Sequence, residues 1–228
     1  MKSLNNLKIS REKTALKRLG LGIFVSIGLL LVAFPASAHH GMGSELPTDF
    51  FQGFMSGIAH PLIGIDHFAF ILSVGLLAAT QQKGIFIPIS FVLAAMLGAG
   101  IHVAGFNTSG VELWVSGSVL LFGILLSLKN RPNTTTIVLL SAIAGIFHGY
   151  AYGESIFGAE STPLLAYLLG FTVIQLVVAM TVFSLSKKFL SGESQLPIWR
   201  STGLVLSGVG LAFLFSAIIN VIFPLVKA

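Results

Sequence analysis

The sequence predicts an all-α fold: a polytopic membrane helix bundle of about six transmembrane helices after a cleaved signal peptide, with the first span broken near His60–Gly64. Three observations predict it. Of 228 residues, 54% are hydrophobic and only 9% charged, whereas a soluble domain carries about 25% charged residues. Apolar stretches near the length of about 20 residues that a membrane crossing needs recur along the whole chain. Lysine and arginine fall in alternate loops between those stretches, the bias that orients membrane helices.

Residues 1–38 have the order of a secretory signal. Lys2, Lys8, Arg11, Lys13, Lys17 and Arg18 form a basic leader, Leu21 to Phe34 an apolar run, and Ala36-Ser37-Ala38 a small-residue cleavage site. Cleavage makes His39 the new terminus, with His40 second. An α-amine, an amide nitrogen and the His40 imidazole suit Ni(II) or Cu(II), which favour nitrogen in a tetragonal plane. The formal charge of +5 is a property of the leader. Beyond residue 38 basic and acidic side chains balance, which gives no reason to expect nucleic acid as a partner. The absence of cysteine removes thiolate metal sites and leaves imidazole, carboxylate and amide ligands.

Residues 39–228 form a single transmembrane domain with spans near 50–80, 85–104, 111–128, 136–153, 163–185 and 201–226. With the mature N-terminus outside, the inner loops hold Lys83, Lys129, Arg131, Lys187, Lys188 and Arg200. The outer loops hold Glu45, Asp49, Glu112, Glu154 and Glu160, and Lys227 alone breaks the pattern. Both mature ends then face outward from an inner-type (plasma) membrane, since outer membranes are the province of barrels. Trp114 and Trp199 sit near span ends, as interface anchors do.

The first span is too long for one straight crossing. As one helix it would reach about 46 Å, against a hydrocarbon core of about 30 Å. Pro61 and Gly64 predict the break, with a short helix over 50–59 and a main crossing from Asp66. At the break stand His60, Asp66 and His67, between flanks without charge. Ionisable groups in lipid mark functional sites. Counting along the other crossings places His102 and His148 toward the same outer side, so every histidine is expected there.

In the fourth crossing Gly145, Gly149 and Gly153 repeat every four residues, a surface on which another helix packs closely. Ser141, Ala144, His148, Tyr152 and Ser155 share one face beside it. His148 alone could equally be a hydrogen bond between helices or a ligand.

His60, five residues, then Asp66-His67 resembles the H-x5-D-H signature of the HupE/UreJ family, and Phe147-His148-Gly149-x-Ala151 resembles the start of its FHGx[AV]HGxE signature. The resemblance implies a bacterial membrane protein of nickel or cobalt uptake, supplying metalloenzyme maturation. It implies that His60, Asp66, His67 and His148 handle metal. Two positions depart from the second signature: Tyr152 replaces a histidine, and Ser155 stands where glutamate is expected, with Glu154 one residue early. Glu154 would then point away from His148 unless the helix has ended. Glu154 and Tyr152 are expected beside the ligands, and His102, His39 and His40 are further candidates.

The expected function is a secondary-type permease for nickel and/or cobalt, capturing the ion outside and passing it inward, with no prosthetic group and no enzymatic activity. No phosphate-binding G-x-x-x-x-G-K-[ST] loop occurs, so this chain does not hydrolyse ATP. The alternatives are a membrane-embedded zinc hydrolase, since three His and a carboxylate also make a catalytic site, and a structural or pH-sensing protein.

Overall fold

The computed structural model describes residues 46–190 and 195–223. The signal peptide, His39, His40 and Lys227 lie outside them. The described residues form seven helices and no strand: α1 (Phe50–Ile63), α2 (Ile65–Ala79), α3 (Phe86–Val103), α4 (Val111–Ser127), α5 (Thr134–Glu154), α6 (Ser161–Phe189) and α7 (Leu196–Ile222). Among them α3, α5, α6 and α7 are long and apolar enough to cross a membrane. α1 and α2 meet that standard only together, as a pair bent by 78° at the break between them. α4 is a shorter apolar helix of 17 residues, about 26 Å long. This is the architecture of a multi-pass membrane protein.

The break falls within the expected stretch, but Pro61 does not make it. α1 runs through Pro61 to Ile63, and the chain turns at Gly64, where ψ opens to 102°. Pro61 lies in the last turn of α1, where its fixed φ of about −65° is compatible with helix while its missing N–H leaves the Gly57 carbonyl without its helical donor. The corner keeps its hydrogen bonds: Gly64 N–H donates to His60 O at 3.1 Å, and Gly64 O accepts from Phe68 N–H at 2.8 Å. Helix starts are capped where sequence allows. Asp49 Oδ1 accepts from Gln52 N–H at 2.8 Å, and Asn133 Oδ1 accepts from Thr136 N–H at 2.9 Å.

Helices pair through glycine. A methyl group on Gly145 or Gly149 of α5 would strike the backbone of α3 at Phe91 or Ala95, and one on Gly98 of α3 would strike Ile146 of α5. Gly123 of α4 meets Gly203 and Ser207 of α7, and Gly53 and Gly57 of α1 meet Pro163 and Tyr167 of α6. The central α2 contributes more residues to the main core cluster than any other helix, with Phe70, Ile71, Val74 and Leu77 clustered with Phe91 of α3, Phe122 of α4 and Ile137 of α5.

One interface anchor is not where the sequence suggests. Trp114 is exposed, but Trp199 is buried in the core with the Arg131 guanidinium 6.0 Å above its ring. Arg131 also donates to Leu126 O through Nη2 at 2.7 Å, closing the end of α4.

The packing gives a prediction with its own control. Gly149→Ala should destabilise the purified protein by about 1–3 kcal/mol, the usual cost of overpacking. Gly117→Ala, where a methyl group meets nothing within 4 Å, should leave stability unchanged or raise it by up to about 1 kcal/mol. Thermal unfolding in detergent checks both.

Candidate functional site

The corner at Gly64 organises the site. Asp66 opens α2, where the helix dipole favours negative charge, and its Oδ1 accepts from His67 N–H at 2.8 Å. A methyl group at Gly64 would lie 2.9 Å from His67 Cδ2 and 3.4 Å from Asp66 Oδ1. Glycine there leaves room for the His67 ring to fold back over the corner. His60, in the last turn of α1, faces the same place: ring centroids are 5.6 Å from His67, 5.2 Å from Tyr152 and 6.4 Å from Tyr167.

Behind His67 lies His148, fully buried in the middle of the bundle. The two rings meet through Nδ1 to Nδ1 at 2.9 Å. His148 Nε2 lies 2.9 Å from Ser118 Oγ, whose hydroxyl donates to Val115 O at 2.7 Å. The chain admits two proton arrangements, because the direction of each imidazole contact follows the tautomer. With the Ser118 proton on Val115 O, His148 Nε2 donates to Ser118 and His148 Nδ1 accepts from His67 Nδ1, which leaves His67 Nε2 free of a proton, the nitrogen form that binds cations. Phe70 stacks on His148 with centroids 4.2 Å apart, and Phe91 approaches at 5.9 Å.

In front of His67 a cavity of about 130 Å³ is lined by His60, His67 and three carboxylates, Asp66, Glu112 and Glu154. α4 and α7 complete the wall with Ser116, Ser216 and Asn220. Among the described residues no lysine or arginine lines it. Three carboxylates around one cavity give it a potential that attracts cations. Among the described residues no three His, Asp or Glu side chains stand close enough to hold one ion together.

The expected residues are thus distributed in three ways. His60, Asp66 and His67 share the cavity. His148 touches His67 but lines no part of the cavity wall. His102 stands apart on the glycine edge of α5, its ring 4.5 Å from Tyr150 and 5.3 Å from Phe157, with Nδ1 buried and unpartnered. Glu154 is the last residue of α5 and lines the cavity with Ala151, three residues before it on the same face, while His148 does not, so the 100° per residue count holds to the end of the helix and the two residues point different ways. Tyr152 packs on both His67 and His60, centroids 4.6 and 5.2 Å away. Sequence reasoning missed Glu112, Ser116, Ser216 and Asn220. The signal was present: Glu112 and Ser116, like Ser216 and Asn220, are polar pairs four apart, on one helical face inside apolar spans.

Comparison with known proteins follows this geometry. A family model described as HupE / UreJ protein matches residues 27–213. Protein HupE of Rhizobium leguminosarum bv. viciae is 29% identical over 164 residues, which cover 71% of this chain and 83% of that protein. No solved structure matches the chain.

The proton chain behind His67 yields a stability prediction. Ser118→Ala deletes one oxygen but strands His148 Nε2 in the core. It should cost about 1–3 kcal/mol, the penalty for a buried polar group left unpaired. Ser127→Ala, which removes an exposed hydroxyl bonded only to Ile124 O among the described contacts, should stay within about 0.5 kcal/mol. Denaturation of the two variants side by side measures the difference.

Proposed function

This chain belongs to the HupE/UreJ family, and on that premise we propose that it is a permease for divalent transition-metal ions, nickel and/or cobalt. The observation that carries the reading is the cavity in which His60 and His67 face Asp66, Glu112 and Glu154. Imidazole nitrogen with carboxylate oxygen is the donor set of Ni(II) and Co(II).

Six spans are the reading we adopt: α1 and α2 as one broken crossing, α4 as a short one, and the remaining four helices. Loop charges then put the cavity end outside, because Glu112, Glu154 and Glu160 flank it while Lys83, Lys129, Lys187 and Lys188 lie at the other ends of these helices. The membrane is of the inner type, with both mature ends outside. The acidic cavity concentrates cations, and the His39-His40 terminus assists capture. His60 and His67 take the ion, with Asp66 and Glu154 offsetting its charge. His148 holds His67 in its ligating tautomer, the service that partners behind ligating histidines perform. Loosely grouped ligands suit the task, since a conducted ion must also leave. The metal then feeds intracellular metalloenzyme maturation. No observation favours the metal-hydrolase alternative.

Uptake of radiolabelled nickel, and separately cobalt, into cells at matched membrane abundance tests the reading. His60→Ala and Asp66→Asn should each abolish accumulation. His148→Ala should lower apparent affinity about 10- to 100-fold, the usual effect of removing a supporting partner. Gly64→Ala, which crowds the His67 ring, should weaken uptake without loss of protein. Absence of accumulation of either metal by the inserted parent would overturn the proposal.

A further inference from the structure

Two directions lead from the cavity into the bundle. Directly beneath His148 the way is apolar. Phe70 stacks on that ring, and Phe70 packs on Phe91 and Phe122 with centroids 5.2 and 4.7 Å away. All three phenylalanines are fully buried. A cation passing there would leave all its ligands behind, at a cost in apolar surroundings that no phenyl ring offsets.

The second direction is along α6. Tyr152 sits against His67 and His60, and its ring also packs on Phe171, centroids 5.3 Å apart. One turn further along α6, Gln175 donates from Nε2 to Phe171 O at 3.0 Å. Both Tyr152 Oη and Gln175 Oε1 are buried without a hydrogen-bond partner. Their side chains are wholly shielded, at 0% exposure. The Gln175 amide cannot be turned to relieve this. A carbonyl only accepts, so the nitrogen is held at Phe171 O and the oxygen must face the interior. A buried acceptor without a donor is destabilising, and natural structures retain few of them. Gln175 lies 14 residues from the start of α6, about 21 Å along it. Gln175 is thus at the midpoint of α6, which on the permease reading lies at the depth where transporters hold their ions.

Resting on the permease reading, we propose that Gln175 Oε1 is an inner station for the transported divalent cation, reached from the histidine cavity past Tyr152 and the single buried ring of Phe171, in place of the three rings beneath His148. The station is of oxygen, harder than the imidazoles above it, so a nickel or cobalt ion binds there weakly and with water retained. A chain of decreasing hold, from two imidazoles and carboxylates to a single amide oxygen, favours inward release over trapping. The phenylalanine cluster beneath His148 stays dry and bars the shorter way.

The test compares parent, Gln175→Met and Gln175→Glu. Each is assayed for nickel and cobalt uptake into vesicles, for metal retained by the purified protein, and for thermal stability. Methionine matches the side chain in length and removes the oxygen. The expected result is an uptake rate about tenfold lower in Gln175→Met, the loss of one ion–dipole contact. Retained metal should change less than about twofold, because the outer cavity is untouched. Thermal stability should be equal or higher, since an unpaired acceptor has gone. Gln175→Glu, which keeps an oxygen in place, should exceed the methionine variant in uptake. Parental uptake by Gln175→Met overturns the station. So does a loss of uptake accompanied by a loss of retained metal, which would report damage to the bundle. So does a glutamate variant no better than the methionine one. Failure of the parent itself to take up either metal overturns the permease reading and the station with it.

Discussion

Lipid gives helices no solvent-driven reason to associate, so a bundle of this kind depends on how closely its backbones can approach. Glycine against backbone is that contact here. Gly145 and Gly149 seat α5 on α3, Gly123 seats α4 on Gly203 of α7, and Gly53 and Gly57 seat α1 on α6. Seating fixes rotation as well as distance. Once the glycine edge of α5 is committed to α3, the face that carries Ser141, His148 and Tyr152 can only turn inward, and all three are fully buried. The chemistry of the bundle follows from where its smallest residues lie.

The same constraint explains why the site gathers at one corner. Gly64 ends α1 without losing a hydrogen bond and leaves the His67 ring the room that a methyl group would take. His67 then joins two environments. One side reaches His148 and Ser118 in the dry core. The other side looks into a cavity bounded by three carboxylates. Low dielectric around the imidazole pair makes each of its hydrogen bonds matter more, and makes an unpaired nitrogen costly. The ring is thus held from behind by the core and looks forward into a polar cavity.

Where the structure adds to the sequence reading, one cause recurs. His148 stands in a family signature, and helical counting puts it on a polar face; the ring it meets, His67, lies 81 positions away in the chain. Glu154 is one residue out of register with His148 by helical counting, and the cavity receives it while His148 stays outside the wall. Trp199 has the position of an interface anchor, but Arg131 and the core claim it. In each case a local rule was sound, and a contact between distant segments decided what the residue meets.

What the sequence determined by itself is what depends on local composition and spacing. Low charge and long apolar runs set the class. The 50–80 stretch is too long for one crossing and carries a break. The glycine repeat marked the α3-facing edge of α5, and His60, Asp66 and His67 marked the site. Only the tertiary structure decided which groups meet there. It brought Glu112 and Asn220 into the cavity, kept His102 out, and left Gln175 Oε1 and Tyr152 Oη buried without partners. The physical reason is that periodicity reports which face of a helix is polar. The azimuth of that face against six other helices is set by backbone contacts between residues far apart in the chain, which no local pattern encodes.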